Sequence, residues 1–468
     1  MNKKCQVFTP HDYVEKLLDC LEYKHHLYGK KIMENSCGDG NILAIIVQRY
    51  IDDCRMHNFS RTRIRNGLSK DICGVEIDPE QFHRCIERLN LIVEKNNILP
   101  VKWNISNEDY LKKQDKTKYN FIVGNPPYIT YSELKKEDQN YLKNNFDSCK
   151  KGKFDYCYAF LEKSIATLTT NGKMAYLIPS SVFKTVFGKD IRRIMLPFVK
   201  KILDYTQEKL FQKALVKSSI IVLNKNIGGK HIHYIDSTTD TNRRFIRESL
   251  GNKWTFINSN VGQRRFGNYF KVSHVVATLY NRAFVLKERI KNEDGNYVCG
   301  DYVLESEIVR RAVSPKNMYT KKHEIIIFPY KYDNKHQLIR YKETEFANKF
   351  PGAYKYLKQF RENLDKRDSD KAALWYEYGR SQALNNLDCE KALISTIISN
   401  EVLIYKLEKE CIPYAGMYIT PIGNLLTITD GIEILKQDSF FKYVRTMGIP
   451  INGNSVRITS KDIEDYMF

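Results

Sequence analysis

Short apolar runs and helical repeats alternate through the first half of the chain. The runs predict strands at Lys31 to Glu34, Ile72 to Ile77, Val101 to Ile105, Asn120 to Gly124, Lys173 to Ile178, Lys201 to Tyr205 and Ser219 to Leu223. Between them apolar side chains recur every three to four positions, as in Tyr13, Val14, Leu17, Leu18 and Leu21 over 11–21, and Tyr158, Ala159, Leu161, Ile165 and Leu168 over 155–168. Strands that alternate with helices pack as a parallel sheet with helices on its faces. The runs around Ile202 and Ile220 lie close together and predict an antiparallel pair finishing that sheet. Asn224 to Lys230, with Gly228-Gly229, reads as a linker. Beyond it the chain is rich in Tyr, Lys, Arg and Asn with no regular alternation, which predicts a separate α+β domain. The expected division is 1–227 and 228–468.

Composition sharpens this outline. A chain of 468 residues is too long for one compact core, and 42% hydrophobic with 28% charged residues is a globular balance. No apolar run approaches membrane-spanning length, and Met1 to Gln6 leads into Val7-Phe8-Thr9-Pro10 without the apolar stretch of a secretory signal. A cytoplasmic location with no membrane partner is therefore expected. The 11 cysteines stand singly, with no C-x-x-C pair, and His25-His26 and His231/His233 lack ligand partners at metal spacing, so no metal is expected. The net charge of +20 changes the picture most, because a field of that size draws in polyanions. Nucleic acid is the natural partner.

Candidate chemistry concentrates at strand ends. Phe121 to Tyr128 reads Phe-Ile-Val-Gly-Asn-Pro-Pro-Tyr, a strand running into a turn that presents acceptors. An Asn oxygen and a neighbouring carbonyl can accept both hydrogens of an exocyclic amine, proline donates no N–H, and Tyr128 offers a ring face to the attached base. The first strand is followed by Asn35-Ser36-Cys37-Gly38-Asp39-Gly40-Asn41, a Gly-rich turn into a helix; its glycines allow tight bending and close approach of a ligand. It is neither a dinucleotide loop nor a phosphate loop. Glu76, in Val75-Glu76-Ile77-Asp78-Pro79, ends the second strand, where an acid can accept from both ribose hydroxyls. Asp109 follows the third strand and could accept from an adenine amino group.

In these features, and in their order, residues 7 to about 224 resemble the N6-adenine DNA methyltransferases of the gamma arrangement, the TaqI-like group of restriction-modification enzymes. The resemblance implies a Rossmann-like methyltransferase sheet, a C-terminal α+β DNA-recognition domain, and S-adenosylmethionine as methyl donor. It further implies that Thr9, Glu34, Ser36, Gly38, Gly40, Glu76, Ile77, Asp109, Tyr110, Asn125, Pro127 and Phe160 contact the cofactor. Asn125, Pro126 and Tyr128 would be catalytic, and Phe211 would stack on the flipped base opposite Tyr128. Arg55 to Asp71, with Arg61, Arg63 and Arg65, lengthens the gap between the glycine turn and Glu76 and reads as a basic surface insertion.

In the second half the likeness is patchy, strongest at Trp375 to Gln382. Lys217, Arg264, Arg265, Trp375, Arg380 and Gln382 are the candidate DNA contacts, since guanidinium and carboxamide groups suit base edges and cations suit phosphates. The expected partners are duplex DNA and a separately encoded restriction endonuclease, with the chain acting as a monomer. Methylation of an RNA adenine or of a protein glutamine remains open, as do a DNA-binding subunit without catalysis and a fused endonuclease.

Overall fold

The structure is a computed structural model that describes residues 9–114, 116–205, 217–237, 239–256, 262–287, 290–451 and 454–468. The chain divides into two compact units, Met1–Ile257 with Ile449–Gly453, and Asn258–Gly448 with Asn454–Phe468.

The first unit is built on one nine-stranded sheet in the order β3-β2-β1-β4-β5-β7-β6-β8-β9. Its strands are β1 (Ile32–Glu34), β2 (Ile72–Glu76), β3 (Asn104–Asn107), β4 (Tyr119–Gly124), β5 (Leu168–Pro179), β6 (Val199–Asp204), β7 (Ser218–Asn224), β8 (His231–Asp236) and β9 (Thr241–Ile246). Strands β3, β2, β1, β4 and β5 pair in parallel, and β7 runs antiparallel to both β5 and β6. The helices are α1 (His11–Cys20), α2 (Asn41–Met56), α3 (Arg61–Asp71), α4 (Pro79–Lys95), α5 (Lys136–Asn145), α6 (Cys157–Thr167) and α7 (Lys189–Met195).

Period two explains why the central strands read as unbroken apolar runs. Met33, Ile122, Met174, Tyr176 and Ile178 join one core, shared with Phe160 and Leu161 of α6 and Ile191 of α7. The residues between them, Ile32, Val123, Ala175 and Leu177, join a second core with Leu17, Leu43, Ile46 and Leu89. Both faces are covered, so alternation never exposes a polar side. Each buried aliphatic side chain adds about 1.5–3 kcal/mol of transfer free energy to such a sheet.

Three expectations change. The antiparallel pair is present but does not finish the sheet: β8 adds to β6 in parallel, and β9 folds back on β8. Residues 224–230 therefore join β7 to β8 across β6 within the same sheet, and the first unit runs to Ile257, past the boundary expected at 227. The 55–71 segment is not a surface insertion. Ser60 caps α3 by accepting from Arg63 N, and Ile64, Gly67, Leu68 and Asp71 turn inward. Asp71 accepts from Tyr50 Oη at 2.6 Å and from Gly29 N at 2.7 Å, which fastens the crossover to α2.

The second unit is mixed α and β. Phe270–His274, Met417–Pro421, Lys391–Ile394 and Ile404–Leu407 form one antiparallel sheet, and 285–287, 324–327, 309–313 and 412–413 a second sheet. One core gathers Phe284, Ile326, Tyr376, Tyr378 and Tyr418; another gathers Phe270, Ile394, Ile419, Leu435 and Phe440. Among the described residues no helix is long and apolar enough to cross a membrane.

Candidate functional site

Four loops meet at one edge of the first unit because β3, β2, β1 and β4 are adjacent and parallel, so their carboxyl ends lie side by side. After β1 the chain turns through Gly38 and Gly40, at φ +52° and +82°. Gly40 is obligatory on two counts: an L side chain is strained at that φ, and a Cβ would lie 2.8 Å from Cys85 Sγ of α4. The turn is then fixed by its neighbours. Gly38 N donates to Glu76 Oε2 at 2.7 Å, and Arg88 of α4 donates to Asp39 Oδ2 at 2.6 Å and to Asn41 Oδ1 at 3.2 Å. Asn41 Nδ2 in turn donates to the Thr9 carbonyl at 2.6 Å, so the start of the described chain is fastened to the glycine turn.

Glu34 is only 2% exposed, and burial pushes its carboxyl well above the usual carboxylate range, with the negative groups Glu76 and Asp39 adding to the effect. Its Oε2 has no hydrogen-bond partner. The Leu43 backbone N–H supports the charged form, placing the carboxyl at the first turn of α2.

At the end of β2, Glu76 is held from both sides, with Oε1 accepting from Asp78 N at 2.8 Å. Asp78 then caps α4 by accepting from Glu80 N and Gln81 N, with Pro79 at the first helical position. Ile77, between the two acids, is 40% exposed. After β3, Asp109 accepts from Leu111 N at 2.9 Å, and Tyr110 packs on Phe160 of α6 with ring centroids 5.4 Å apart. Lys163 of α6 donates to the carbonyls of Leu111 and Lys113 at 3.0 and 2.7 Å, which pins this loop.

The Asn125 to Tyr128 turn leaves β4 beside the glycine turn. Ser36 Oγ donates to the Asn125 carbonyl at 3.5 Å, and the Asn125 side-chain oxygen is withdrawn from solvent. Pro126 is buried, Pro127 and Tyr128 half-buried. Burial raises the Tyr128 hydroxyl pKa well above its ordinary value. The chain beyond the turn is tied to the entrance of α6: Tyr156 N donates to the Ile129 carbonyl at 2.9 Å, and Thr130 bridges Asp155. Burial pushes the Asp155 carboxyl from 3.8 up to about 6, against the hydrogen bond it accepts from Cys157 N.

A carboxyl whose pKa rises on folding stabilises the fold fully below its unfolded pKa and loses that stability as pH climbs to the folded value. Asp155→Asn is therefore expected to stabilise the protein above pH 6 by an amount on the order of 3 kcal/mol, with the gain vanishing at low pH. Urea unfolding on either side of the window checks this; an equal effect at both ends would contradict it.

Several neighbours escape sequence reasoning. Asn35 Nδ2 donates to Ser164 Oγ of α6 at 2.9 Å and to Tyr176 Oη of β5, while Tyr110 Oη lies 3.2 Å from the same Ser164 oxygen. These partners are separated by up to 141 positions and share no motif.

Phe211 lies outside the described residues. Lys217 precedes β7, its carbonyl accepting from Ser180 N at 2.9 Å. Arg264 is exposed, but Arg265 is engaged with Asp465 at 2.8 Å. Trp375 is a packing residue rather than a contact: it is 7% exposed, donates from Nε1 to Glu343 at 2.8 Å and carries the Arg361 guanidinium 4.4 Å from its ring. Arg380 pairs with Asp368 and Asp370 at 3.0 and 3.2 Å, and Gln382 is exposed. Among the described residues no three His, Cys, Asp or Glu side chains are placed to hold a metal ion.

A mostly parallel sheet with β7 reversed, carrying a glycine turn, two acids and Asn-Pro-Pro-Tyr on successive strand ends, has the topology of a Rossmann-like methyltransferase sheet. Residues 27–211 match the family described as Eco57I restriction-modification methylase. It is 28% identical over 341 residues to the type II restriction enzyme and methyltransferase RM.Eco57I of Escherichia coli, covering 61% of this chain and 33% of that protein. It is 30% identical over 180 residues to the type II methyltransferase M.AccI of Acinetobacter calcoaceticus, covering 37% of this chain and 31% of the relative. The chain thus spans about a third of the length of these relatives. Its fold is similar to that of the Type IIL restriction-modification enzyme MmeI, solved in complex with DNA, with a TM-score of 0.61 and 15% identity over 97% of this chain and 63% of that one.

Proposed function

We propose that this chain transfers a methyl group from S-adenosylmethionine to the N6 amine of an adenine flipped out of duplex DNA, at a site set by the second unit, as the modification activity of a restriction-modification system. The observation that carries the reading is the Asn125 to Tyr128 turn seated against the glycine turn through Ser36. The relatives' names, restriction-modification methyltransferases, support the substrate class.

The donor side of the edge fits such a cofactor. Glu76 keeps lone pairs beyond those taken by Gly38 N and Asp78 N, enough to accept from ribose hydroxyls. Exposed Ile77 offers an apolar cover for a purine and Asp109 an acceptor for its amine, and Thr9, Glu34, Phe160 and Pro127 are assigned to the remainder of the cofactor. Bound S-adenosylmethionine supplies a methyl already activated as an electrophile, so the protein's task is to present the nucleophile.

An adenine amine is a poor nucleophile because its lone pair is delocalised into the ring. Asn125 Oδ1 and the Pro126 carbonyl accept its two hydrogens, which turns the nitrogen toward a tetrahedral form. These bonds strengthen as positive charge grows on nitrogen, so they lower the barrier rather than merely bind. The lone pair forms the new N–C bond as the C–S bond breaks, and the surplus proton leaves to water. Flipping costs about a few kcal/mol. Stacking on Tyr128 and Phe211 offsets roughly 1–3 kcal/mol per ring.

A labelled-methyl assay with duplex DNA, structured RNA and release factor as competing substrates tests the assignment: label is expected in duplex DNA as N6-methyladenine. Label in RNA or protein alone would overturn it. Phe211→Ala should lower turnover about tenfold on a paired target and less on a mismatched one, where flipping is cheaper. Equal losses on both duplexes would remove Phe211 from the stack.

A further inference from the structure

In the second unit the loop from His274 to Asn281 borders, with Tyr414, an open groove of about 610 Å³. Leu279 in that loop has φ +58° and is the one apolar side chain among the described non-glycine residues with positive φ. Left-handed backbone is unfavourable for an L-residue, and such strain persists only where the surroundings impose it. The surroundings here are specific. Thr278, fully buried, donates from its hydroxyl to Asn281 Oδ1 at 2.5 Å and accepts from Tyr280 N at 3.1 Å. Its carbonyl accepts from Arg367 Nη1 at 2.5 Å and from Gly379 N at 3.4 Å, and Arg380 N donates to the Ala277 carbonyl at 3.1 Å. With both flanks fixed, Leu279 must turn left-handed. Its side chain rises over Gly379, where a Cβ would come within 2.6 Å of Leu279 Cγ.

The strain is not matched by full burial, since Leu279 packs on Gly379 yet stays 44% exposed. A rigid loop that holds up an aliphatic side chain is suited to entering something. Exposed Arg282 follows the loop, Arg380, paired with Asp368 and Asp370, is bridged to Ala277, and exposed Gln382 lies in the turn just beyond it, within a chain of net charge +20. A polyanion with an apolar interior meets both demands, and a base step in duplex DNA is one.

We infer that Leu279 is an apolar wedge that the second unit inserts at a base step of duplex DNA, with the loop's hydrogen bonds holding it ready. The inference rests on the DNA reading above and adds the residue that deforms the duplex.

The test uses the full chain and the duplexes that the wild-type protein retains from a random-sequence pool, with affinity measured across a salt series and thermal unfolding in parallel. Glycine adopts the left-handed conformation without strain, so Leu279→Gly is expected to unfold at the wild-type temperature or above it. It should bind the selected duplexes about tenfold more weakly, with an unchanged salt slope because no phosphate contact is removed. Leu279→Met should retain most of the affinity. Undiminished binding by Leu279→Gly, or weakened binding accompanied by a lower unfolding temperature, overturns the wedge while leaving the methyltransferase reading intact. A wild-type chain that retains no duplexes from the pool overturns both.

Discussion

Asn125→Ala is expected to lower the rate of methyl transfer by about 10³-fold while S-adenosylmethionine still binds, the order of loss seen when one preorganised group that stabilises a transition state is removed. The separation follows from which atoms do what. The Asn125 carbonyl, which accepts from Ser36, belongs to the backbone and survives the substitution, so the turn keeps its place beside the cofactor loop. The whole carboxamide is lost, and its oxygen is shielded from solvent in the structure, so an adenine amine reaches it only once it is uncovered. A hydrogen bond there acts in a lower dielectric than in solution, and the charge it answers appears only as the new bond forms. The effect should fall on kcat with little change in either KM. Asn125→Asp retains an acceptor and should recover part of the loss. Single-turnover transfer of labelled methyl, with calorimetry for cofactor binding, checks both; turnover by the alanine variant within tenfold of wild type would remove Asn125 from the chemistry.

The edge that holds this site was legible in the sequence because its residues sit at strand ends, and strand ends are what apolar periodicity locates. Glu34, Glu76 and the Asn-Pro-Pro-Tyr turn close buried runs, whereas Asp109 follows β3, a largely exposed strand at 104–107 rather than the 101–105 run that the pattern marks; the four strands are adjacent, so their ends share one edge. What escaped was of two kinds. Long-range polar ties left no local trace: Arg88 faces Asp39 across 49 positions, and nothing in its helical neighbours Cys85 and Leu89 marks it as a brace. Composition misled elsewhere. Gly228-Gly229 looked like punctuation between domains, yet it turns the chain into β8, whose half-exposed alternation and the exposed Arg243 and Arg244 of β9 hide an edge hairpin. The basic face of α3 similarly masked Ile64 and Leu68 beneath it.

The 375–382 stretch shows the same limit from the other side. Trp375, Tyr376, Glu377 and Tyr378 look like a recognition surface because each carries a polar tip, but all four are buried. Every tip is matched inside the unit: Tyr376 Oη donates to the Tyr341 carbonyl and Tyr378 Oη to the Ile327 carbonyl, both at 2.8 Å, while Arg340 Nε meets Glu377 Oε1 at 2.6 Å. Amphipathic residues serve cores and interfaces equally well, and only the location of their partners separates the two. In the proposed wedge the part of this run is indirect. It presents Gly379, over which Leu279 lies, and Arg380, which bridges to the same loop.

Glu76→Gln, the most conservative change available at that position, is expected to weaken S-adenosylmethionine binding about as much as Glu76→Ala does. Both carboxylate oxygens already accept from backbone N–H groups, Oε2 from Gly38 at 2.7 Å and Oε1 from Asp78 at 2.8 Å, at a residue only 8% exposed. A carboxamide has one oxygen. Whichever way it is turned, its NH2 faces an amide N–H, and either the glycine turn or the start of α4 must move away. Hydrogen bonds to charged groups contribute about 1.5–3 kcal/mol, so loss of one, with the ribose contacts disturbed beside it, corresponds to roughly 10- to 100-fold in affinity. An exposed glutamate contacting ribose directly would behave differently, because a carboxamide oxygen can still accept from a hydroxyl. Glutamine would then rescue what alanine lost. Calorimetric titration of S-adenosylmethionine into the three proteins separates the cases, with affinity for duplex DNA measured alongside and expected to be unchanged. Wild-type affinity in the glutamine variant would show that Glu76 does not hold the glycine turn, and the site would have to be rebuilt around another anchor.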